Sequence, residues 1–323
     1  MENFKNLPII KKLGFNRIVL VCVLILMYFV FSLGSGRMLG SGDINNALNM
    51  VDYLGFLALG VTFVIATGGI DFSIGPVMVC AGLIGGRLLV TFGWPLWLAL
   101  IMCVIVGFIF GCFNGMLVAY MGLPSFISSM ASMMLAKGVG SVFTHVQNSN
   151  WPASGAPNSW YKYFVTYNGI PTGLIFLLVV TVICSILLNK TKMGRYILCI
   201  GSNREAVRLS GVDTRKWEAL AYVICGILAG IGAITYVGVI TQVQPGLGDE
   251  FNNNAIASCV MGGTSMAGGI ASIGGTFIGV LIISLLRVGI QAMGFRPDYQ
   301  YIITGIIVAL AVFTDIRSSA RKK

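Results

Sequence analysis

The sequence predicts an all-α, polytopic membrane protein of about ten transmembrane helices, some of them broken or re-entrant. Of its 323 residues, 56% are hydrophobic and only 10% are charged, whereas soluble domains carry about 25% charged residues. The mean hydropathy is +0.88, and the apolar residues form long runs rather than the alternating pattern of a membrane barrel. A soluble domain, a disordered chain and a coiled coil are therefore excluded, and residues 1–323 are expected to form one transmembrane domain.

The apolar runs approach or reach the length of about 20 helical residues that crosses a bilayer. The predicted spans lie near residues 17–33, 46–66, 75–91, 94–119, 126–144, 170–189, 217–240, 254–269, 272–291 and 299–315. A degenerate internal repeat is indicated, because Gly68-Gly69 in the first half resembles Gly262-Gly263 in the second. Paired glycine-interrupted segments in two halves often mark a translocation path.

The basic residues are concentrated in three places, although the net charge of +10 alone would suggest a polyanionic partner. These places hold Lys5, Lys11, Lys12, Arg17, Lys190, Lys192, Arg195, Arg204, Arg208, Arg215, Lys216, Arg317, Arg321, Lys322 and Lys323. Basic loops remain on the cytoplasmic side, so both chain ends are expected there and the number of spans is even. Cleavage of the first span as a signal peptide is the alternative, and it would break the even count. We expect no nucleic-acid partner.

Residues 145–168 form the longest predicted external segment, and they are rich in Asn, Pro and Trp. This composition favours an ordered surface loop. The loop is either a docking surface or a passive connector, and the sequence leaves both open.

A helix break is predicted between Ala66 and Pro76, where glycines and a proline interrupt two apolar runs. Asp71 and Ser73 can cap the helix that restarts there. An acid near the membrane interior is costly and often functional, so Asp71 is either a cap or a functional residue. The translocation path is predicted from polar residue type alone, and its candidates are Asp71, Ser73, Asn114, Ser128 and Ser129.

Two further glycine patterns predict packing and a second break. Glycines four residues apart, as in Gly107/Gly111/Gly115 and Gly226/Gly230, let neighbouring helix backbones approach closely. The stretch 262–275 is a second break, and it is not a phosphate-binding loop because no Gly-Lys-Ser/Thr follows.

The basic segment 190–216 is predicted to contain a short helix of about two turns. Asn203 is a plausible N-cap and Gly211 a plausible C′ residue, and Arg204 and Arg208 would share one face of the helix. A short basic helix of this kind can dock into another protein. A solvated positive-inside loop is the alternative, and it explains the charge but not the caps.

No catalytic or metal-binding constellation is apparent in the sequence. The chain has one histidine, His145, and its eight cysteines include no CxxC spacing. We therefore expect no enzymatic activity, no cofactor and no metal.

Four motifs in order resemble the permease subunits of bacterial ABC importers for monosaccharides of the ribose, xylose and galactose type. The motifs are Gly68–Gly75, Gly111–Gly115 leading to Gly122–Ile127, Gly194–Gly211, and Ala255–Ala257 with Gly262–Gly269. The resemblance extends from about residue 44 to the end of the chain.

The resemblance implies a dimer of this permease, or of the permease and a homologue, in the bacterial cytoplasmic membrane. An ABC ATPase subunit would bind inside and an extracytoplasmic solute-binding protein outside, and ATP would be hydrolysed on the separate subunit. A hydrophilic sugar would pass between the helices. By this resemblance the residues that couple to the ATPase are Asn203, Arg204, Glu205, Ala206, Arg208 and Gly211.

Two departures from the family pattern leave the solute open. Asn252 and Asn254 stand where the family usually has acids, and Ser129-Met130-Ala131 stands where Thr-Leu-Gly is common. Branched-chain amino acids, nucleosides and a furanose-type signal molecule are alternatives. An ion-coupled secondary transporter would need intramembrane ionisable residues, for which Asp52 and Asp71 are the candidates, and a purely structural membrane subunit is the third class.

Overall fold

The computed structural model describes residues 15–36, 39–168, 170–296 and 298–320. Lys5, Lys11, Lys12, Arg321, Lys322 and Lys323 lie outside the described residues, and the side chains of Arg17 and Arg317 are likewise not described. The predicted cytoplasmic placement of both chain ends therefore stays a prediction.

Most of the described chain is helical and almost none of it is strand, which confirms the predicted all-α class. The helices are α1 (Phe15–Gly34), α2 (Ser41–Ala66), α3 (Ile74–Val90), α4 (Leu96–Gly115), α5 (Ser125–Phe143), α6 (Thr172–Lys190), α7 (Lys192–Leu209), α8 (Thr214–Val239), α9 (Asp249–Met261), α10 (Ile273–Ala292) and α11 (Tyr299–Ala320). A π-helical turn, Met116–Tyr120, extends α4, and a 3-10 helix covers Ser159–Phe164. Two short strands, β1 (Ser149–Asn150) and β2 (Gln242–Val243), pair antiparallel.

Six helices are long and apolar enough to cross a membrane, namely α2, α4 with its π-turn, α5, α6, α8 and α10. Two shorter apolar helices, Ile18–Gly34 and Ile74–Val90, accompany them. Each of the ten predicted spans overlaps one of the helices other than α7. The described residues therefore form a polytopic helical membrane protein. We call the end of the bundle that carries α7 the basic end, and the end that carries residues 145–168 the opposite end.

Helix α2 lies in the centre of the bundle, where α6, α8, α9 and α10 pack around it. Every residue from Met50 to Ala66 is buried. A helix that is apolar on all sides is typically surrounded by protein or lipid. The second half of α2 is apolar on all sides, which agrees with its burial.

Helices α4 and α8 approach each other through their glycines, as the four-residue spacing predicts. A Cβ atom on Gly107 would lie 2.2 Å from the carbonyl oxygen of Gly226, and one on Gly230 would lie 2.6 Å from the carbonyl oxygen of Cys103. Since no side chain fits there, the packing role predicted for these glycines is confirmed.

The chain between α8 and α9 re-enters the bundle as an extended segment. A Cβ on Gly82 would lie 3.5 Å from Val243, and one on Gly75 would lie 2.1 Å from the carbonyl oxygen of Gly248. The segment therefore follows α3 for seven residues, about 10 Å of helix, toward the basic end. Non-helical backbone at membrane depth is tolerated where protein or a cavity surrounds it.

Helix α9 corrects the predicted span at 254–269. It covers Asp249–Met261, and its 13 residues rise only about 20 Å, which is less than the hydrocarbon core of about 30 Å. The predicted run also included a turn in which Gly263, Gly268 and Gly269 have positive φ. Hydropathy did not separate the helix from the turn, because the turn residues are also apolar or small.

The segment 145–168 is ordered against α3 and α8, as predicted. Trp151 is only 3% exposed and donates its indole N–H to the carbonyl oxygen of Gly82 at 3.0 Å. The Tyr161 hydroxyl donates to the carbonyl oxygen of Pro152 at 2.8 Å. The indole is therefore buried over the glycines of α3.

Candidate functional site

Three of the five predicted path residues meet in one buried network where α3 restarts. The Asp71 carboxylate accepts hydrogen bonds from the Ser73 N–H at 2.8 Å and the Ser73 hydroxyl at 2.6 Å. The Asn114 amide donates to Ser73 Oγ at 2.9 Å and to Asp71 Oδ2 at 3.3 Å. Ser132 on α5, which was not predicted, donates to Asn114 Oδ1. The network joins the α2–α3 break, α4 and α5.

The network is closed to solvent in this conformation. Asp71, Ser73, Asn114 and Ser132 are each at most 2% exposed. The neighbouring cavity, which Asp71, Ser73, Asn114 and Gly226 help to line, has no room for a water molecule. The hydrogen bonds therefore hold three helical elements together here.

Ser128 and Ser129, the other two predicted path residues, lie outside this network. Both are fully buried on α5. Ser129 donates to the carbonyl oxygen of Phe126 at 3.2 Å, and Ser128 Oγ has no hydrogen-bond partner within the described structure. A place in the translocation path stays a prediction for all five residues.

The start of α3 is capped by a residue distant in sequence. Asn252 on α9 accepts a hydrogen bond from the Gly75 N–H at 2.7 Å and donates one to the carbonyl oxygen of Phe72 at 2.5 Å. Asp71 Oδ1 accepts the Ser73 N–H in the turn before α3, and the Ser73 side chain makes no cap hydrogen bond. The prediction that Asp71 and Ser73 cap this helix is therefore wrong, because Asn252 takes that place. No local signal in the sequence predicts the Asn252 contact, because Gly75 and Asn252 lie 177 positions apart.

The basic segment is a longer helix than predicted, with the predicted short helix at its end. Helix α7 begins at Lys192 and is interrupted at Asn203, whose φ of −159° and ψ of 95° are extended. Asn203 Oδ1 accepts the Ala206 N–H at 3.0 Å, and Gly211 has φ +83°. Both predicted ends are confirmed. The preceding turns were missed because Ile197 and Ile200 bury their side chains against the bundle, a contact that the basic charge obscured.

Arg204 and Arg208, which were predicted to share one face of the helix, have different partners. Arg204 makes two hydrogen bonds to Glu218 of α8, at 3.1 and 2.6 Å. Arg208 pairs with Glu205 at 3.0 and 2.6 Å, and both side chains are exposed. The hydrogen bonds from Arg208 lower the pKa of Glu205 from its ordinary value. Arg204 braces the helix, and Glu205 and Arg208 face outward.

Three glycine-containing segments meet backbone to backbone beside α7, and we call this contact the glycine junction (Ala66–Gly68, Gly201–Ser202 and Gly268–Gly269). The Gly269 N–H donates to the carbonyl oxygen of Ala66 at 3.0 Å. A Cβ on Gly201 would lie 2.0 Å from that oxygen, and one on Gly268 would lie 2.8 Å from the Gly68 nitrogen. Helix α7 therefore touches both predicted helix breaks.

Asp52 and Asp71, the two candidates for ion coupling, lie in separate environments. Asp52 is 1% exposed and faces α6, where a Cβ on Gly173 would lie 2.2 Å from its carboxylate. The hydrogen bonds of Asp71 go to Ser73 and Asn114. No hydrogen bond between described residues links the two acids into a path.

A family model described as "Branched-chain amino acid transport system / permease component" matches residues 44–312. The chain belongs to this family. It is a permease component and a multi-pass protein of the inner membrane.

Several curated relatives are similar over most of their length. The chain is 31% identical to the ribose import permease protein of Escherichia coli (strain K12) over 92% of each chain, and 33% identical to that of Bacillus subtilis (strain 168), again over 92% of each. It is 29% identical to a xylose transport system permease protein of Haemophilus influenzae, with 95% of this chain and 96% of the relative covered.

Proposed function

We propose that this chain is the permease subunit of an ATP-driven importer that moves a monosaccharide across the bacterial cytoplasmic membrane. The single observation that carries the proposal is the capped segment Asn203–Gly211, which exposes Glu205 and Arg208 and is braced on α8 by Arg204. The relatives named for ribose and xylose support the sugar as solute. Hydrolysis of ATP belongs to a separate subunit, and this chain is not itself an enzyme.

Three partners follow from this proposal. The ATPase subunit docks on the exposed residues of Asn203–Gly211 at the basic end, where Asn203, Arg204, Glu205, Ala206, Arg208 and Gly211 form or support the surface. A solute-binding protein approaches the ordered segment 145–168 at the opposite end. A second permease copy or a homologue completes the translocation path, and both chain ends are cytoplasmic.

The glycine junction gives the proposed coupling a mechanical route. Gly201 and Ser202 immediately precede the kink at Asn203 and touch the segments that follow α2 and α9. We call Asn203–Gly211 the docking segment. Because the contacts at the glycine junction join backbone to backbone, a movement of the docking segment also moves the two helix breaks. Asp71 and Ser73, which lie within the first break, hold α4 through Asn114.

A second candidate solute is a branched-chain amino acid, because the family description names that class. The experiment is to co-express the chain with its ATPase and solute-binding protein and to purify the assembly. Reconstituted vesicles are then offered labelled ribose, xylose, fructose and leucine with ATP. Uptake of a monosaccharide supports the proposal. Uptake of leucine alone would mean that the solute is a branched-chain amino acid and not a sugar.

A further inference from the structure

Four charged side chains lie near the first turn of α9, and two of them are on helices long and apolar enough to cross a membrane. Lys137 lies six residues before the last residue of α5, and Arg287 five residues before the last residue of α10. At 1.5 Å per residue, they lie about 9 and 8 Å below the helix ends. Asp249 and Glu250 form the first turn of α9, where the extended segment has brought the chain back into the bundle.

These four side chains and one tyrosine form a connected charged layer. Lys137 Nζ lies 2.6 Å from Asp249 Oδ2, and Arg287 Nη1 lies 3.9 Å from Glu250 Oε2. The Tyr301 hydroxyl of α11 donates to Glu250 Oε2 at 2.8 Å. The carboxylates also benefit from the positive end of the α9 helix dipole. The first turn of α9 is thus held by α5, α10 and α11.

The charged layer is open on one side. The Asp249 side chain is 58% exposed, the Glu250 side chain 31% and the Lys137 side chain 26%. Charged side chains at this depth are costly against lipid and face a water-filled cavity or the interior of a bundle. The face between α5 and α11 is therefore expected to border water rather than hydrocarbon.

A second polar layer lies one helical turn closer to the basic end on the same three helices. Asn254 is four residues after Glu250, Ser284 three residues before Arg287, and Thr304 three residues after Tyr301. Each is at most 6% exposed, and Asn254 Nδ2, Ser284 Oγ and Thr304 Oγ1 have no hydrogen-bond partner in the described structure. Buried polar groups without partners are rare and costly, so three on adjacent helices indicate a place for polar ligand groups.

We propose that the two layers form a binding site for a neutral, hydroxyl-rich solute in the translocation path. This inference rests on the proposed permease function and deepens it. Carboxylates accept hydrogen bonds from solute hydroxyls, and the lysine ammonium donates to the solute oxygens. Hydroxyl and amide groups both donate and accept. Because two acids balance two bases, an ionic solute gains no net attraction, and a zwitterion would have to break existing ion pairs.

The test measures the number of labelled ribose molecules taken up per ATP hydrolysed by the complete reconstituted importer. If the wild type carries another sugar, that sugar replaces ribose in the assay. Asp249→Asn and Lys137→Met are expected to lower this ratio about tenfold while ATP hydrolysis continues. A tenfold change corresponds to about 1.4 kcal/mol, which is the loss of one charge-assisted hydrogen bond. Asp298→Asn is the matched control, because Asp298 pairs with Arg296 at 2.9 Å on the exposed surface. Wild-type ratios in both test variants would overturn the inference.

A structural role of the ion pair is separated by exchanging its partners. The double variant Lys137→Asp with Asp249→Lys keeps one acid beside one base. Normal assembly with reduced uptake per ATP supports a solute contact, whereas recovery of both assembly and uptake means that the pair only holds the helices and overturns the inference. Absence of ATP-dependent uptake in the wild type would instead contradict the proposed function itself.

Discussion

Arg204 of α7 donates two hydrogen bonds, at 3.1 and 2.6 Å, to the two carboxylate oxygens of Glu218 in α8. Glu218 is 6% exposed, so the pair fixes the kinked helix to a spanning helix at the basic end. The docking segment is thereby attached to the bundle through one bidentate contact beside the glycine junction. Two-point geometry of this kind fixes orientation as well as distance.

Arg204→Ala is expected to separate ATP hydrolysis from transport. It leaves the buried Glu218 carboxylate without its partner and lowers the free energy of unfolding by about 1–2 kcal/mol. Thermal unfolding in detergent measures the loss of stability, and uptake per ATP measures the uncoupling. Arg208→Ala is the matched control, since its ion pair with Glu205 is exposed: it should leave unfolding unchanged and weaken only co-purification of the ATPase. Equal unfolding temperatures for the two variants would contradict the bracing role.

Gly201→Ala is expected to disrupt the glycine junction. The new Cβ would lie 2.0 Å from the carbonyl oxygen of Ala66 and 2.4 Å from the Gly269 nitrogen, and backbone atoms cannot yield as side chains do. We expect a loss of about 1–3 kcal/mol in stability, as for other overpacked sites, and loss of uptake. Gly42→Ala serves as the control, because no atom lies within 4 Å of its added Cβ and alanine favours a helix. Normal uptake by the Gly201 variant would show that α7 does not act through this contact.

Asn114→Ala is expected to open the buried network around Asp71. The substitution removes two donated hydrogen bonds and the acceptor of Ser132, and it should lower the free energy of unfolding by about 1–3 kcal/mol. Ser129→Ala is the control on the neighbouring helix, since Ser129 bonds only the carbonyl oxygen of Phe126. The measurement is chemical or thermal unfolding of both variants in detergent. A variant of Asn114 as stable as the Ser129 control would contradict the network.

Asn252→Leu is expected to destabilise the start of α3, because Gly75 N–H and the Phe72 carbonyl lose their shared partner. The expected cost is about 1–3 kcal/mol. Asn253→Leu makes the same substitution one residue later, at an exposed position, and should change stability little. Hydrogen exchange at Gly75 supplies a local readout, and unchanged protection in the Asn252 variant would refute the capping contact.

Local signals in the sequence predicted what depends on neighbouring residues. The N-cap at Asn203 and the C′ glycine at Gly211 follow from residue type over nine positions, and the structure has both. The glycines of α4 and α8 likewise predicted close packing from spacing alone. The long apolar helices were predicted correctly because a run of about twenty apolar residues is typical of a membrane-spanning helix.

Contacts between distant residues escaped the sequence. The Gly75–Asn252 hydrogen bond joins residues 177 positions apart, and the Arg204–Glu218 pair joins two different helices. The end of the short α9 was misjudged because the residues of the turn that follows it are also apolar or small. In the candidate site, residue type predicted Asp71, Ser73 and Asn114. It could not single out Ser132, because α5 contains several other serines.

The source of energy tests the central claim most directly. Vesicles that contain the chain, its ATPase and a sugar-loaded binding protein are compared in two conditions: with ATP and no ion gradient, and with an imposed proton or sodium gradient and no ATP. We expect labelled sugar to accumulate only with ATP, and only when the ATPase subunit is present. Accumulation driven by the gradient without ATP would contradict the account and would support a secondary transporter.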